Sequence, residues 1–258
     1  MHGIRTERRG GTLEVTIDRP KVNAIDSATS RALGEAFVGF RDDPELRVAV
    51  LTAAGERFFS PGWDMKAAAE GDSDEWGSGG FAGLTELFDL DKPVIAAVNG
   101  YAAGGGLELA LACDLIVAVP DARLSVPEVR VGLVPDAGGV FRLPKRIPRV
   151  LAMEMLLTGR PIDAERAAGW GLVNRIVERD KLLSTARELA ADIESAAPLS
   201  VRAIKAIVTA TEALTIEDGY RALRDGSIPA YERAMASEDA KEGPRAFAEK
   251  RDPVWRGR

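Results

Sequence analysis

The spacing of hydrophobic and polar residues predicts alternating strands and helices over the first two-thirds of the chain. Residues 13–18 alternate apolar and polar side chains, as a half-buried strand does, whereas the apolar runs at 47–52 and 93–98 are typical of strands covered on both faces. Between the first two of these strands, a cap at Asp26 or Ser27 precedes a helix with the apolar stripe Leu33, Ala36, Phe37 and Phe40. This alternation predicts an α/β fold with a largely parallel sheet.

The last third of the chain carries helical spacing in place of strand patterns. Two apolar faces follow one another there, first Leu182, Ala186, Leu189 and Ile193, then Val201, Ile204 and Val208. Ala-Ala-Pro at 196–198 separates them, and Ser237, followed by two acidic residues, is a good start for a further helix. We therefore predict a core domain over residues 1–195 that holds the reactive site, and a helical subdomain over residues 196–258.

One segment among these elements lacks any regular spacing. Residues 67–80 are rich in glycine, serine, aspartate and alanine, and they lie between two predicted strands. Segments of this composition form mobile or partly ordered loops, and such loops often frame binding sites. We expect a flap here, next to the reactive region.

Composition is typical of a globular protein, and together with the net charge it limits the kinds of partner that the chain can bind. Hydrophobic residues make up 46% and charged residues 29% of 258 residues, and no apolar run reaches the roughly 18 residues of a membrane span. The first residues lack the apolar centre of a secretory signal, and one cysteine gives no disulfide framework, so we expect a cytoplasmic protein. The net charge of −6 argues against nucleic acid as a partner.

The scarcity of histidine and cysteine excludes several kinds of catalytic site. His2 is the only histidine and Cys113 the only cysteine, so neither a Ser-His-Asp or Cys-His nucleophile nor a zinc site of Cys and His can be assembled. The glycine-rich segment at 100–106 lacks the Lys-Ser/Thr of a phosphate-binding loop and the spacing of a dinucleotide fingerprint. The chemistry must come from carboxylates, backbone amides, tyrosines and lysines, without a metal.

That glycine-rich segment is the strongest functional signal in the chain. It opens a helix predicted over 105–113 that contains Glu108, and Glu128 follows twenty residues later. Such a helix rises about 13 Å, and a strand over 115–119 returns a similar distance, so the two glutamates can lie close together. Backbone N–H groups at a helix start favour developing negative charge, and paired carboxylates supply an acid and a base. Enolate chemistry on a thioester needs this combination.

Three segments carry a family resemblance: Phe-Phe-Ser-Pro-Gly-Trp-Asp-Met-Lys at 58–66, the run 93–108, and residues 126–139 from Val-Pro-Glu to Gly-Gly. They resemble the enoyl-CoA hydratase/isomerase (crotonase) superfamily, and the resemblance extends over nearly the whole chain. Within that superfamily, further segments resemble the subfamily of carnitinyl-CoA dehydratases, at 62–64, 66–71, 80–86, 237–240 and 247–258.

The resemblance implies a fold, an assembly and a reaction. The expected fold is α/β, a crotonase-like spiral of ββα units with a C-terminal helical subdomain that forms trimers, alone or as a dimer of trimers. The implied activity is that of a lyase that adds water reversibly across the 2,3 double bond of an enoyl-CoA thioester, which in the subfamily is crotonobetainyl-CoA. Coenzyme A enters as part of the acyl-CoA substrate, and no separate cofactor is implied.

Four residues receive catalytic roles from the resemblance. The backbone N–H groups of Trp63 and Gly105 fall at the positions of the oxyanion hole for the thioester oxygen. Glu108 and Glu128 match the two carboxylates of the hydratases, one ionised to deprotonate water and one protonated to deliver a proton to the α-carbon. Crowding of two acids raises one pKa, and isomerase relatives commonly keep only one of the pair, so both together favour hydration.

Other residues match the binding segments of the family. The substrate-binding set is Ala24, Asp64, Lys66, Asp136, Phe247 and Lys250. Ala24 falls on the adenine side of coenzyme A, and Lys66 is near enough to help with its phosphates. Phe247 and Lys250 are expected to reach the nucleotide bound by an adjacent subunit. As isolated charges, the two lysines are typical of a solvated surface.

Asp136 departs from the simple hydratases, many of which have glycine at this position. Dienoyl-CoA isomerases carry an acid there, and a third carboxylate also suits a cationic substrate group such as trimethylammonium. Alternatively, Asp136 caps a helix that begins near Gly138, a position that aspartate suits well. Aromatic faces also attract quaternary ammonium groups, although core packing is their commoner role, and the loops near the site hold Trp63, Trp76, Phe81 and Tyr101.

Two rival classes of function remain open from the sequence. The first is another crotonase-type enzyme, such as a general short-chain enoyl-CoA hydratase, a dienoyl- or enoyl-CoA isomerase, or an acyl-CoA hydrolase. The second is a non-catalytic scaffold or RNA-binding member of the fold. The acidic balance of the chain and the intact pair of Glu108 and Glu128 both argue against this second class.

Overall fold

The computed structural model describes residues 3–73 and 75–258. Ten strands run through this described part: β1 (Ile4–Arg9), β2 (Thr12–Ile17), β3 (Val48–Ala53), β4 (Phe58–Ser60), β5 (Val94–Val98), β6 (Tyr101–Ala103), β7 (Leu115–Ala118), β8 (Arg123–Ser125), β9 (Ile162–Asp163) and β10 (Arg175–Ile176). Eleven α-helices accompany them there: α1 (Ser27–Asp42), α2 (Met65–Ala69), α3 (Gly105–Ala112), α4 (Gly139–Arg146), α5 (Arg149–Thr158), α6 (Ala164–Gly169), α7 (Leu182–Glu194), α8 (Pro198–Thr211), α9 (Ile216–Arg224), α10 (Pro229–Ala236) and α11 (Glu238–Glu249). Short 3-10 turns occupy Phe81–Gly83, Pro127–Val131 and Arg179–Lys181.

The larger of two sheets lies at the centre of the core. Its six strands follow the order β1-β2-β3-β5-β7-β10, and all neighbours are parallel except β1, which runs antiparallel to β2. Every residue of β3 and β5 is buried, as their continuous apolar runs predict. Strand β2 is almost entirely buried too, although its alternating pattern predicts one polar face. The prediction fails there because α7 covers that face and its Arg187 pairs with Glu14.

The smaller sheet brings three chain segments to one edge. Its strands follow the order β4-β6-β8-β9, with β4, β6 and β8 parallel and β9 antiparallel. The chain alternates between the sheets, from β3 to β4, from β5 to β6 and from β7 to β8, with helical turns after each pair. Because β4, β6 and β8 run in the same direction, the segments 61–64, 104–108 and 126–128 leave the sheet side by side.

The helices of the core largely follow the predictions. Helix α1 begins after Asp26, whose side chain accepts a hydrogen bond from the Thr29 N–H, and it buries Leu33, Phe37 and Phe40. Helix α3 begins at the predicted residue and ends one residue before Cys113. Most of its residues are buried, so it passes through the core rather than over the surface.

The two apolar faces predicted for the last third behave differently. On α7, Leu182 and Ala186 are buried against the larger sheet. On α8, Ile204 and Val208 are 63% and 61% exposed, so that face is not buried within this chain. A small separate apolar cluster joins α8 to α10 through Ala203, Ala230 and Ala234. The division into domains at residue 195 stays a prediction.

Part of the segment predicted as a flap at 67–80 is helical. Helix α2 covers its first three residues, because the Asp64 side chain caps the helix by accepting two backbone N–H groups. Further along, the Asp72 carboxylate accepts hydrogen bonds from the backbone and the hydroxyl of Ser27, at 2.9 and 2.6 Å. Asp74 lies outside the described residues. Mobility of the rest of this segment stays a prediction.

No helix within residues 3–73 and 75–258 is long and apolar enough to cross a membrane. Within the same ranges, no group of three or more His, Cys, Asp or Glu side chains is arranged to hold a metal ion.

The pair of Glu14 and Arg187 leads to a prediction about stability. The Arg187 guanidinium donates two hydrogen bonds to the Glu14 carboxylate, at 2.6 and 2.8 Å, and this lowers the pKa of Glu14. Since Arg9 still approaches Glu14 at 3.1 Å, we expect Arg187→Met to lower the free energy of unfolding by about 2 kcal/mol, less than the loss of a fully buried pair.

The sign of the pH dependence follows from the lowered pKa of Glu14. The contribution of the pair is present at neutral pH and is lost as the pH falls through the folded-state pKa. Urea unfolding of the two proteins should therefore give a difference that shrinks between about pH 7 and about pH 3. A difference that stays constant over this range would contradict the assignment.

Candidate active site

Glu108 lies on the first turn of α3, and the protein buries it almost completely. Only 3% of the residue is exposed, and its Oε1 atom accepts a 2.7 Å hydrogen bond from the Gly139 backbone N–H. Burial is the main cause that raises the pKa of Glu108 to about 8. The bond from Gly139 opposes this rise, whereas the carboxylates of Glu128 and Asp136 act in the same direction as burial.

Glu128 follows β8 in the 3-10 turn Pro127–Val131 and faces the start of α3. An ideal Cβ built on Gly104 would lie 2.7 Å from Glu128 Oε1, so a side chain at position 104 would collide with the carboxyl group. The other oxygen, Oε2, is buried and has no hydrogen-bond partner among the described residues. Burial raises the pKa of Glu128, and Asp136 adds to the rise.

The two glutamates form a coupled pair. Glu108 stands on the first turn of α3, and Glu128 contacts the residue before that helix, so the chain brings them together as its path length allows. The charge of Glu128 raises the pKa of Glu108, so ionisation of Glu128 opposes ionisation of Glu108. With a pKa of about 8, Glu108 therefore keeps its proton at neutral pH.

Two backbone segments approach each other closely at the predicted oxyanion positions. An ideal Cβ on Gly62 would lie 2.5 Å from the Gly105 nitrogen, and Gly106 has no room for a side chain beside the Ser60 carbonyl. Gly62 also adopts a φ of +87°, which favours glycine. Within the described part of the chain, the N–H groups of Trp63 and Gly105 donate to no acceptor. Their role as an oxyanion hole stays a prediction.

Three aromatic rings pack in a row beside these amides. The Trp63 and Trp76 rings meet edge to face with centroids 6.0 Å apart, and Trp76 meets Phe81 in the same way at 5.1 Å. The Phe81 ring occupies the space where a side chain of Gly105 would stand. Tyr101 is engaged elsewhere, since its hydroxyl lies 2.8 Å from that of a serine in β8. The row therefore lies against the amides, with its rings packed on one another.

The structure corrects one interpretation of Asp136. Helix α4 begins at Gly139 with Gly138 at its N-cap and without a side-chain cap, so Asp136 does not cap it. The residue that caps a helix directly precedes the first helical residue, and α4 begins too late for position 136. The exposed Asp136 carboxylate raises the pKa of both Glu108 and Glu128, which places it near the pair. Contact between Asp136 and a substrate stays a prediction.

A second group of predicted binding residues is joined to the site through Arg19. Its guanidinium pairs with the Asp64 carboxylate and donates to the Ala24 carbonyl at 3.0 Å. A parallel β-bridge between Ile25 and Trp63 connects this segment to the predicted oxyanion hole. Lys66 is exposed on α2. The hydrogen bonds of Asp64 hold the local fold, and coenzyme A binding by this group stays a prediction.

Phe247 and Lys250 lie at the C-terminal end of the helical region. Phe247 is 87% exposed on α11, and Lys250 follows that helix in a left-handed conformation. Helix α11 packs mainly against α10. An exposed aromatic ring of this kind is available to another molecule, and contact with the nucleotide of an adjacent subunit stays a prediction.

Sequence reasoning missed two residues that shape the pair of glutamates. Gly139 supplies the N–H that bonds to Glu108, and Arg142, half-buried on α4, carries a charge that lowers the pKa of Glu108. The available signal was Gly-Gly at 138–139 with an arginine three residues later. This pattern also occurs at ordinary helix starts, so it does not by itself indicate a site.

Comparison with known proteins identifies the family. A family model described as enoyl-CoA hydratase/isomerase matches residues 7–258. The carnitinyl-CoA dehydratase of Salmonella enteritidis PT4 is 59% identical over 257 residues, which cover 99% of this chain and 98% of that protein. The chain belongs to the enoyl-CoA hydratase/isomerase family.

Solved structures agree with this assignment. The enoyl-CoA hydratase from Mycobacterium tuberculosis H37Rv superposes with a TM-score of 0.91 at 43% identity, over 99% of both chains. A carnitinyl-CoA dehydratase from Mycobacterium avium 104 superposes with a TM-score of 0.78 at 44% identity, also over 99% of both chains. The predicted crotonase-like α/β fold and the predicted class of enzyme, an enoyl-CoA hydratase type, are confirmed.

The buried proton of Glu108 leads to a second prediction about stability. A carboxyl group with a pKa of about 8 binds its proton more tightly in the folded chain than in the unfolded chain. Stability therefore falls as the pH rises from roughly 4.5 to about 8 and levels off above that. Glu108→Gln removes this titration, so we expect the variant to exceed the wild type by about 2–4 kcal/mol at high pH and to match it near acid pH.

Urea unfolding from about pH 5 to about pH 9 checks this expectation. Glu35→Gln, on the exposed surface of α1, is the matched control and should show no gain that grows with pH. If Glu108→Gln gives no such growing gain either, the carboxyl group is ionised in the folded protein at neutral pH.

Proposed function

We propose that this enzyme adds water reversibly across the 2,3 double bond of an enoyl-CoA thioester, with crotonobetainyl-CoA and carnitinyl-CoA as its substrate pair. One observation carries the reaction type: the buried Glu108 and the half-buried Glu128, both with raised pKa values, lie beside two backbone N–H groups, neither of which has an acceptor in the described chain. The 59% identity to carnitinyl-CoA dehydratases supports the acyl group.

The thioester carbonyl oxygen would accept hydrogen bonds from the N–H groups of Trp63 and Gly105. As water attacks C3, negative charge develops on that oxygen, and the two donors together with the positive end of α3 stabilise it. The donors are backbone groups in a closely packed turn, so they need no rearrangement when the charge appears. Each donor of this kind contributes on the order of 100-fold or more to the rate.

The pair of glutamates balances the protons of the reaction. The ionised member takes a proton from the attacking water as the C3–O bond forms, and the protonated member gives its proton to C2. Dehydration follows the same steps in reverse. Water and the thioester are the only reactants, and coenzyme A takes part only as the carrier of the acyl group. Because Glu108 keeps its proton at neutral pH, it can act as the acid in hydration and, once ionised, as the base in dehydration.

Two features near the pair support a cationic acyl group. Crotonobetainyl-CoA carries its trimethylammonium on C4, one carbon from the atom that water attacks. The Asp136 carboxylate lies near the pair, so a cation at that position would be close to an anion. The row of Trp63, Trp76 and Phe81 adds aromatic surface, which quaternary ammonium groups favour.

A general short-chain enoyl-CoA hydratase is the second candidate. The higher TM-score with the enoyl-CoA hydratase from Mycobacterium tuberculosis, 0.91 against 0.78, favours it. Comparing kcat/KM for crotonobetainyl-CoA and crotonyl-CoA separates the two candidates, since our proposal requires the higher value for crotonobetainyl-CoA. Isomerisation would be recognised by a double bond that moves without uptake of water.

We also propose a homotrimer or a dimer of trimers as the assembly. Ile204 and Val208 on α8 and Phe247 on α11 are exposed apolar residues that a second copy could cover.

A cytoplasmic location is consistent with the single, buried cysteine. The acidic balance of the chain argues against nucleic acid as a partner, and no membrane association is proposed.

Glu108→Gln and Glu128→Gln test the pair directly. Each change should lower kcat for hydration by about 1,000-fold, because general acid or base transfer is lost. Binding of acyl-CoA should stay within about threefold, since the carboxyl groups are not needed to hold coenzyme A. The double variant should lose little more than either single one, because the residues act as a unit. A single variant whose kcat stays within a fewfold of the wild type would remove that glutamate from the chemistry.

Asp136→Asn tests the acyl group. If the carboxylate pairs with trimethylammonium, kcat/KM for crotonobetainyl-CoA should fall by about tenfold, or roughly 1.4 kcal/mol, while crotonyl-CoA is hardly affected or improves. Asp136→Glu keeps the charge and is the control, which should retain most of the preference. Equal losses on both substrates would point to proton transfer by Asp136, and no loss on either would exclude pairing with the ammonium group.

A further inference from the structure

Arg142 lies one turn into α4, and its guanidinium bonds to two separate backbone segments. One nitrogen donates to the Thr85 carbonyl at 2.6 Å, and the other donates to the Ala137 carbonyl at 3.5 Å. Thr85 is 57 residues away along the chain and Ala137 only five. The planar fork of the guanidinium therefore joins two loops that are distant in sequence.

The segment of Ala137 presents a hydrogen-bond donor to Glu108. Gly138 adopts a φ of +110°, and the Arg142 guanidinium occupies the space that a side chain there would need. The next residue, Gly139, donates its N–H to Glu108 Oε1. An ideal Cβ on Gly139 would itself lie 3.0 Å from that oxygen. The Glu108 carboxyl group is thus held by a turn that packs against Arg142.

The segment of Thr85 supports the predicted oxyanion hole. Thr85 is buried, and its hydroxyl donates to the Phe81 carbonyl at 2.9 Å. The Phe81 ring in turn fills the space beside the α-carbon of Gly105. Through Thr85, the Arg142 guanidinium is therefore linked to the Phe81 segment, whose ring packs against Gly105.

The guanidinium charge also acts on the pair of glutamates. The charged groups that influence Glu108 are Glu128 and Asp136, which raise its pKa, and Arg142, which lowers it. Arg142 in turn is influenced by Arg146, Glu108, Cys113 and Glu86. Among these groups, Arg142 is the cation that favours the ionised form of Glu108.

We propose that Arg142 is a positioning residue, which holds the turn of Gly139 and the segment of Phe81 together and so fixes Glu108 relative to the Gly105 amide. This role rests on the proposed hydration of an enoyl-CoA. It assigns no contact between Arg142 and the substrate. The fork provides the geometry, and the charge opposes the rise in the pKa of Glu108 that burial causes.

Arg142→Met removes both the fork and the charge. We expect kcat to fall by about 100-fold, because small displacements of catalytic groups have effects of this size, while KM stays within about threefold. The limb of the pH profile of kcat/KM that belongs to Glu108 should move to higher pH, because the cation that lowers its pKa is removed. Arg142→Lys keeps the charge but cannot bond both carbonyls, so it should lose about tenfold in kcat and leave the limb in place.

Arg146→Met is the matched control on the same helix. Arg146 donates to the carbonyls of Leu111, Cys113 and Asp114 at the end of α3, and its charge is not among those acting on Glu108. Its loss should lower thermal stability without moving the pH limb. Equal losses in kcat for Arg142→Met and Arg146→Met, both with an unshifted limb, would overturn the proposal.

A readout without substrate keeps the test independent of the proposed function. The gain in stability of Glu108→Gln over the wild type should grow with pH and level off near the folded-state pKa of Glu108, about 8. In the Arg142→Met background this gain should keep growing to a higher pH before it levels off, and an unchanged levelling-off pH counts against the role of Arg142. Should Arg142→Met fail to fold, Arg142→Gln carries the same comparison. A wild type without hydratase activity would overturn the proposed function, and this measurement would still decide the effect of Arg142 on Glu108.

Discussion

The site depends on backbone segments that pack too closely to admit side chains between them. Gly62 lies against the nitrogen of Gly105, and Gly104 lies against the carboxyl group of Glu128. This approach is possible because β4, β6 and β8 are parallel neighbours, so the segments that follow them start about 4.8 Å apart. A side chain at either glycine would push these segments apart and separate the amides from the glutamates. The chemistry proposed for the site therefore begins with strand pairing.

Burial of the two glutamates opposes folding and at the same time creates their proposed function. A carboxyl group that keeps its proton to about pH 8 makes the folded chain less stable at neutral pH than a neutral side chain would. The fully buried strands β3 and β5 and the covered face of β2 supply the apolar burial that offsets this cost. Perturbed pKa values concentrate at functional sites for this reason: the environment that holds a proton on Glu108 would be a liability anywhere else.

What could be predicted from the sequence was local, or was limited by the length of the chain path. The apolar runs of β3 and β5, the Asp26 cap and the proximity of Glu108 and Glu128 all follow from neighbouring residues or from rise per residue. The failures depend on distant contacts. Burial of Glu14 needs Arg187 on α7, and the turn before α4 packs against Arg142, which also bonds to Thr85, 57 residues away. Spacing along the chain carries no record of such partners.

Burial is the main cause of the raised pKa values of the two glutamates, and an exposed anion and a half-buried cation adjust them further. The negative charge of Asp136 raises the pKa of both glutamates, whereas the positive charge of Arg142 lowers the pKa of Glu108. A trimethylammonium group bound beside Asp136 would neutralise the anion and favour ionisation of the pair while the substrate is present, which is when a base is needed. A plain enoyl thioester would leave the anion uncompensated. One exposed carboxylate can therefore contribute to the choice of substrate and to the chemistry through the same electrostatic interaction.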